Sequence, residues 1–198
     1  MKREQLHYQT FRTAFGPVAI VWWKASGGPR VRQVLLARNG KSPKARLRRS
    51  YPGATPLSAP EVARLAGKIQ RFLEGKPTTF DLGLVALEVC GDFQRRVLVA
   101  EYGIPRGRVS TYGRIASTLG VRGAARAVGN ALAGNPFPII IPCHRAVRGD
   151  GSLGGYQGGA KMKRALLVME GLEFTPGGKV VMQQVHYSRG FRGGPQSR

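Results

Sequence analysis

Apolar residues crowd two short runs near the start of the chain, "GPVAIVWWKA" (16–25) and "RVRQVLLAR" (30–38), with "SGGP" between them. Runs of this length, rich in Val, Ile and Trp and separated by Gly and Pro, predict strands joined as a hairpin. A basic loop is expected next. From residue 58 the period changes: in "SAPEVARLAGKIQRFLEGK", Val62, Leu65, Ile69 and Phe72 recur at helical spacing. Ser58 and Glu61 have the spacing of a capping box, and Gly75 supplies the stop. These elements define a small N-terminal strand-rich α/β domain over residues 1–85, in which no chemistry is visible.

The remainder reads as helices set off by Gly and Pro. "DFQRRVLVAEYG" is a helix ended by Gly103 and Pro105. "STYGRIASTLG" is a second, capped by Ser110 or Thr111 and ended by Gly120. "GAARAVGNALAGNP" is a third, ended by Gly134 and Pro136. Two short helices joined by a brief Gly-containing turn match a helix-turn-helix, although the pattern alone is weak. Eight of the twelve residues from 123 to 134 are Gly or Ala, so the third helix is thin. It is either a tightly packed core helix or one that enters a narrow groove with Arg126 as its one charge. The Gly-rich stretch "GDGSLGGYQGG" lacks the strand-then-helix context of a phosphate loop. "AKMKRALLVMEG" gives a last helix, with Met162, Leu166 and Met169 on one face and Glu170 at its end. The expected fold is α+β: the strand-rich domain, then a mostly helical domain over 86–176, then a basic tail over 177–198. The end of that tail, "SRGFRGGPQSR", has a disordered composition.

Charge adds a partner to this picture. The 198 residues are 42% hydrophobic, enough for a core, yet carry a formal net charge of +22. No acidic residue lies between Glu4 and Glu61, or between Glu101 and Asp150. Two acid-free tracts of that length point to a polyanion, with nucleic acid as the natural one. Two cysteines, Cys90 and Cys143, are too few for a disulfide scaffold, and the three histidines show no metal-ligand spacing. Neither a membrane span nor a signal-peptide core is present, so a cytoplasmic protein is expected.

The candidate chemistry lies in "IIIPCHRAV" (139–147), where an apolar run ends on Cys143, His144 and Arg145. A lone cysteine after such a run is ordinarily a small buried hydrophobe. A thiol acts as a nucleophile only as thiolate, and His144 is the nearest base. In a strand the two side chains would point to opposite faces, so a sharp turn or a relaying water is required.

Taken together, "GRVSTYGRIA", "AARAVGNALAGNP", "IPCHRAV", "GGYQGG" and "LLVMEG" closely resemble, in order and spacing, the O6-alkylguanine-DNA alkyltransferases. The resemblance covers roughly residues 93–171. It implies a helix-turn-helix of winged-helix type and a repair reaction on double-stranded DNA. A flipped-out O6-alkylguanine would give its alkyl group irreversibly to the protein in a single turnover. O4-alkylthymine is a further candidate lesion.

By that resemblance Cys143 is the acceptor thiol. His144 is its base through a bound water, Glu170 orients His144, and Asn135 braces the turn between recognition helix and active site. Arg126 replaces the flipped base and Tyr112 crowds a phosphate, with Ala125, Ala127 and Gly129 on the groove-facing helix. Tyr156, Val147, Gly154, Gly155 and Gly158 wall the alkyl pocket. Gln157 stands where some relatives have a small hydroxyl residue. No cofactor and no metal are expected, and the working form is expected to be a monomer. Two other readings stay open. A noncatalytic lesion-binding relative would lack the cysteine, and a cysteine hydrolase would turn over repeatedly.

Overall fold

The run "GPVAIVWWKA" forms β2 (Gly16–Ala25) in the computed structural model, which describes residues 4–38, 41–183 and 185–187. Val18, Ile20 and Trp22 belong to the main core, while Ala19 and Val21 pack in a smaller cluster with Leu35 and Leu47. A strand covered on both faces reads as a continuous apolar run instead of an alternation. Its hairpin partner is β3 (Gly28–Leu35), antiparallel and with a bulge at Val21/Trp22. On its other side lies β1 (Leu6–Thr13), antiparallel with Leu6 opposite Trp23. The two-residue β4 (Thr55–Pro56) pairs parallel to β1 and completes the order β3-β2-β1-β4.

Two local expectations are corrected here, and one strand was not predicted. The strand β1 carries no strong alternation because all its residues are at least partly exposed. The basic loop contains a helix, α1 (Lys44–Ser50), anchored by Leu47 in the smaller cluster. The capping box is not made: α2 (Pro60–Leu73) starts after Ala59 with no side-chain cap, and Ser58 Oγ donates to Gln9 Oε1 at 3.2 Å. Pro60 at the first helical position needs no donor partner, so the start is stable without the box. Val62, Leu65, Ile69 and Phe72 are all buried, as their spacing predicts.

The helices α3 (Asp92–Tyr102), α4 (Tyr112–Thr118), α5 (Ala125–Ala133) and α6 (Ala160–Met169) follow the expected punctuation. Thr111 caps α4, accepting from the Arg114 N–H at 3.1 Å. On α6 the buried residues are Met162, Lys163, Leu166 and Leu167, so the inward face is rotated from the expected one and includes a lysine. Between these helices, β5 (Ser110–Thr111) and β6 (Ala146–Val147) pair in parallel. The whole is α+β. One apolar cluster runs from Val18, Ile20 and Trp22 through Ile69 and Phe72 to Val97, Ile115, Val128 and Ile141. Part of the expected tail is packed: Val180 is buried and Tyr187 Oη donates to the Ala100 carbonyl at 2.7 Å. The stretch 188–198, expected to be disordered, lies outside the described residues.

Candidate active site

The turn that follows α5 sets the site. Asn135 is 2% exposed. Its Nδ2 donates to the Ile141 carbonyl at 3.0 Å, and its Oδ1 accepts from the Phe137 N–H at 2.8 Å. The Ile141 N–H closes the loop onto the Phe137 carbonyl at 2.8 Å. Inside it, Ile139 is held at φ 75°, a region a β-branched residue rarely enters and one that costs about 1–3 kcal/mol. Two side-chain hydrogen bonds from one buried amide are what hold it there. Beyond Pro142 the chain turns through a 3₁₀ segment, Cys143–Arg145, and not a strand. Three successive side chains therefore fan out from a tight turn, and Cys143 and His144 need not face opposite ways.

His144 and Glu170 are fully and almost fully buried side chains whose Nε2 and Oε1 lie 3.0 Å apart. Burial alone would raise the Glu170 carboxyl, but hydrogen bonds from His144 and Arg145 outweigh it and bring the group down to about 2. As a carboxylate, Glu170 can only accept, so His144 Nε2 is the donor and Nδ1 carries the lone pair. Nδ1 is buried with no hydrogen-bond partner among the described residues. Burial pushes the imidazole below its ordinary value, against the pull of Glu170. A neutral ring with a free acceptor nitrogen can take a proton.

Arg145 was not singled out for this role, yet it completes the arrangement. Its Nε donates to Glu170 Oε2 at 2.9 Å, one terminal nitrogen to Glu170 Oε1 at 2.7 Å, and the other to the Ile104 carbonyl at 2.6 Å. This two-pronged clamp fixes the carboxylate that orients His144. Cys143 is 7% exposed, and burial pushes its thiol up to about 12, with Asn135 pulling the other way. The resting sulfur is a thiol that needs a base.

Tyr156 stands edge-on to His144, with ring centroids 6.2 Å apart, and its hydroxyl is buried without a partner among the described residues. On the other side Phe72 of α2 lies 5.8 Å from the His144 ring, so the N-terminal part helps to enclose the site. Lys163, fully buried, donates from Nζ to the Ala146 carbonyl at 2.6 Å and more weakly to the Gly155 carbonyl at 3.4 Å. It ties the reactive turn to the 154–159 loop. A lysine inside the 162, 163, 166, 167 stripe was a legible signal for it. Glu101 is also fully buried, with neither carboxyl oxygen paired among the described residues, and burial raises it to about 8. Gly154 has φ 66°, and a Cβ there would come within 2.6 Å of the Tyr112 hydroxyl, so the loop packs directly on Tyr112. Gly158 abuts Met162 and Tyr156. Val147 is buried and paired with Thr111 in the β5–β6 ladder. Gln157 Oε1 accepts from the Leu36 N–H at 3.3 Å, a link across 121 residues.

A separate cleft of about 970 Å³ runs along α4 and α5. Tyr112, Arg114, Arg122, Ala125, Arg126 and Gly129 line it, together with Arg148. Ala127 is exposed on α5 but does not line it. Among the described residues no carboxylate lines the cleft. Among the described residues no group of three or more His, Cys, Asp or Glu could hold a metal, and no helix is long and apolar enough to cross a membrane.

The family profile for the DNA-binding domain of 6-O-methylguanine DNA methyltransferase matches residues 92–172, which contain every element of this site except Phe72 and Leu36. The methylated-DNA–protein-cysteine methyltransferase of Mycobacterium tuberculosis is 36% identical over 169 residues, covering 83% of this chain and 92% of that protein. The chain belongs to the methylated-DNA–protein-cysteine methyltransferase family. Another member, from Methanothermobacter thermautotrophicus, is 46% identical over 117 residues, 58% of this chain and 65% of that protein. The crystal structure of Mycobacterium tuberculosis OGT in complex with DNA superposes with a TM-score of 0.66 at 35% identity, covering 83% of this chain and 92% of that one. The methyltransferase likeness thus extends through the N-terminal sheet and is not confined to the reactive turn.

Proposed function

We propose that this methyltransferase repairs O6-alkylguanine in duplex DNA by moving the alkyl group to its own Cys143. The observation that carries the proposal is a buried thiol next to a neutral histidine. The far nitrogen of that histidine is held by a carboxylate, itself clamped by arginine. His144 takes the thiol proton at Nδ1 through a bound water, since no described group, Cys143 included, hydrogen-bonds that nitrogen. The sulfur attacks the alkyl carbon in line, a C–S bond forms, and the C–O6 bond breaks with its electrons passing to guanine. The proton lost by the thiol balances the one guanine takes up. Glu170 stabilises the transient imidazolium, while Arg145, whose own charge opposes it, acts by holding the carboxylate in place. The product thioether has no route back, so each molecule acts once.

An alkyl group on O6 inside the duplex is out of reach of the buried Cys143, so the base must leave the stack. Arg126 on α5 is assigned to fill the gap, and Tyr112 to press on the adjoining phosphate. Ala125, Ala127 and Gly129 keep α5 thin enough for the groove. The pair α4–α5 with the β5–β6 ladder is read as a winged-helix type of helix-turn-helix. Tyr156, Val147, Gly154, Gly155 and Gly158 wall the alkyl pocket, and Asn135 braces the turn. O4-alkylthymine is a second candidate lesion. We divide the chain near residue 85 and again near 176, and assign the protein to the cytoplasm as a monomer without cofactor or metal.

The test is mass spectrometry after incubation with duplex DNA carrying O6-methylguanine. One methyl group on Cys143, and no more than one lesion repaired per molecule, is the expected result. Repeated turnover would mean a hydrolase, and binding without methylation would mean a lesion-binding protein.

A further inference from the structure

We infer that α1 and the segment leading into it form a second contact surface for duplex DNA, apart from α4 and α5; this rests on the reading that the protein works on duplex DNA. Arg38, Lys41, Lys44, Arg48 and Arg49 are all exposed. None of them pairs with a carboxylate among the described residues, where the ion pairs involve other cations. No acidic residue lies in sequence between Glu4 and Glu61 to neutralise them. The cations also converge. Burial, then the neighbouring Arg38 and Arg49 charges, push the Arg46 guanidinium below its ordinary value. Like charges gathered this closely weaken the fold unless an anion joins them.

Helix stability does not explain the arrangement. Arg48 and Arg49 in the last turn suit the helix dipole, but Lys44 stands in the first turn, where no acidic residue is present and a cation is unfavourable. Position does give an explanation. The Arg46 guanidinium donates to the Leu36 carbonyl, and the Leu36 N–H donates to Gln157 in the 154–159 loop. Arg46, the half-buried member of the cluster, is therefore two hydrogen bonds from the loop that packs on Tyr112, and this places one end of the basic segment beside the loop that a duplex delivering a base would approach. An anionic membrane is the poorer partner, since a surface-seeking helix needs an exposed apolar face and the one large apolar residue of α1, Leu47, is buried against the sheet.

The test is the salt dependence of duplex binding by the full chain. Each phosphate contact contributes about 0.9 to the log–log slope. Replacing Lys44→Gln, Arg48→Gln and Arg49→Gln together should reduce the slope by about 2–3. Alkylation of Cys143 by free O6-benzylguanine, which needs no duplex, should be unchanged. The charge-keeping set Lys44→Arg, Arg48→Lys and Arg49→Lys should hold the slope near that of the wild type. If the triple variant does not fold, Lys44→Gln and Arg49→Gln singly should each lower it by about 0.9. An unchanged slope in the neutralised variants overturns the inference, whether or not they lose affinity for vesicles of anionic phospholipid. Failure of the underlying reading looks different: the wild type would then gain no methyl group from O6-methylguanine duplex.

Discussion

Both cysteines are little exposed, Cys90 and Cys143 at 7% each, and burial raises the thiol of both, further at Cys143. Beyond that they diverge. Cys90 follows a short 3₁₀ segment, Leu87–Val89, with the Glu88 carboxylate raising its thiol further and Arg95 opposing. Cys143 opens a 3₁₀ turn whose next residue is a neutral, clamped histidine. Burial therefore does not mark the nucleophile, and neither does a lowered thiol, because neither sulfur rests as a thiolate. What separates the two is a proton acceptor held ready, and behind it a carboxylate that makes the protonated acceptor affordable. The resting thiol is unreactive in both places, and only Cys143 has a base beside it in sequence.

The strongest way to break this comparison is to exchange the consequences. Cys143→Ala should abolish methyl transfer while duplex affinity stays within about twofold, since phosphate contacts carry the binding. Cys90→Ala should transfer at the wild-type rate. Transfer lost in Cys90→Ala and kept in Cys143→Ala would reverse the assignment.

Removing the carboxylate behind the histidine comes next. A charge-assisted hydrogen bond contributes roughly 1.5–3 kcal/mol, so Glu170→Gln should slow transfer about tenfold to a hundredfold in single-turnover kinetics. The direction of the pH effect follows from His144. The neutral ring is the acceptor and its pKa lies below 6.5, so transfer falls only as pH drops through that lowered value. Without Glu170 the ring binds protons less readily still, and the acid limb should move to lower pH. A limb that stays in place would leave Glu170 as a structural clamp for Arg145.

Arg126→Ala should act on the duplex and not on the thiol. It should slow transfer from saturating duplex by about tenfold, for about 1.4 kcal/mol of lost unstacking support, with free O6-benzylguanine nearly unaffected. Equal slowing on both substrates would point to a damaged pocket. The smallest change is expected at Glu101, which the proposed chemistry does not use. Its folded pKa of about 8 lies above the ordinary 4.5, so the native state holds a proton that the unfolded chain releases. Stability should therefore decline as pH rises from 4.5 to 8 and level off above, by linkage. Glu101→Gln should flatten that decline while leaving transfer near the wild-type rate, read from denaturant unfolding across the window and from single-turnover kinetics. A decline that persists would assign it to other groups.

Much of the site was readable in one dimension because its parts are close in sequence or sit at helix ends. Cys143 and His144 are adjacent, Asn135 follows the Gly that stops α5, and Glu170 is the residue after α6. Local propensity and punctuation were enough for the hairpin and for the helices from α2 onward. The misses share a different cause. β1 is held by pairing with β2, and α1 by Leu47 packing on the far face of the sheet, neither of which has a strong local signature. Ser58 and Glu61 had the right spacing, but Gln9, 49 residues away, took the hydroxyl. The arginine clamp joins residues 25 apart and reaches a carbonyl 41 away. Phe72 meets His144, and Gln157 meets Leu36, only because β3 and α2 pack on the reactive turn. Residue types and short spacings in the chain were sufficient to single out Cys143 and His144 as candidates, and the family resemblance gave them their proposed roles. Which buried charges neutralise one another, and what encloses the histidine, depends on distances that exist only after the chain has folded.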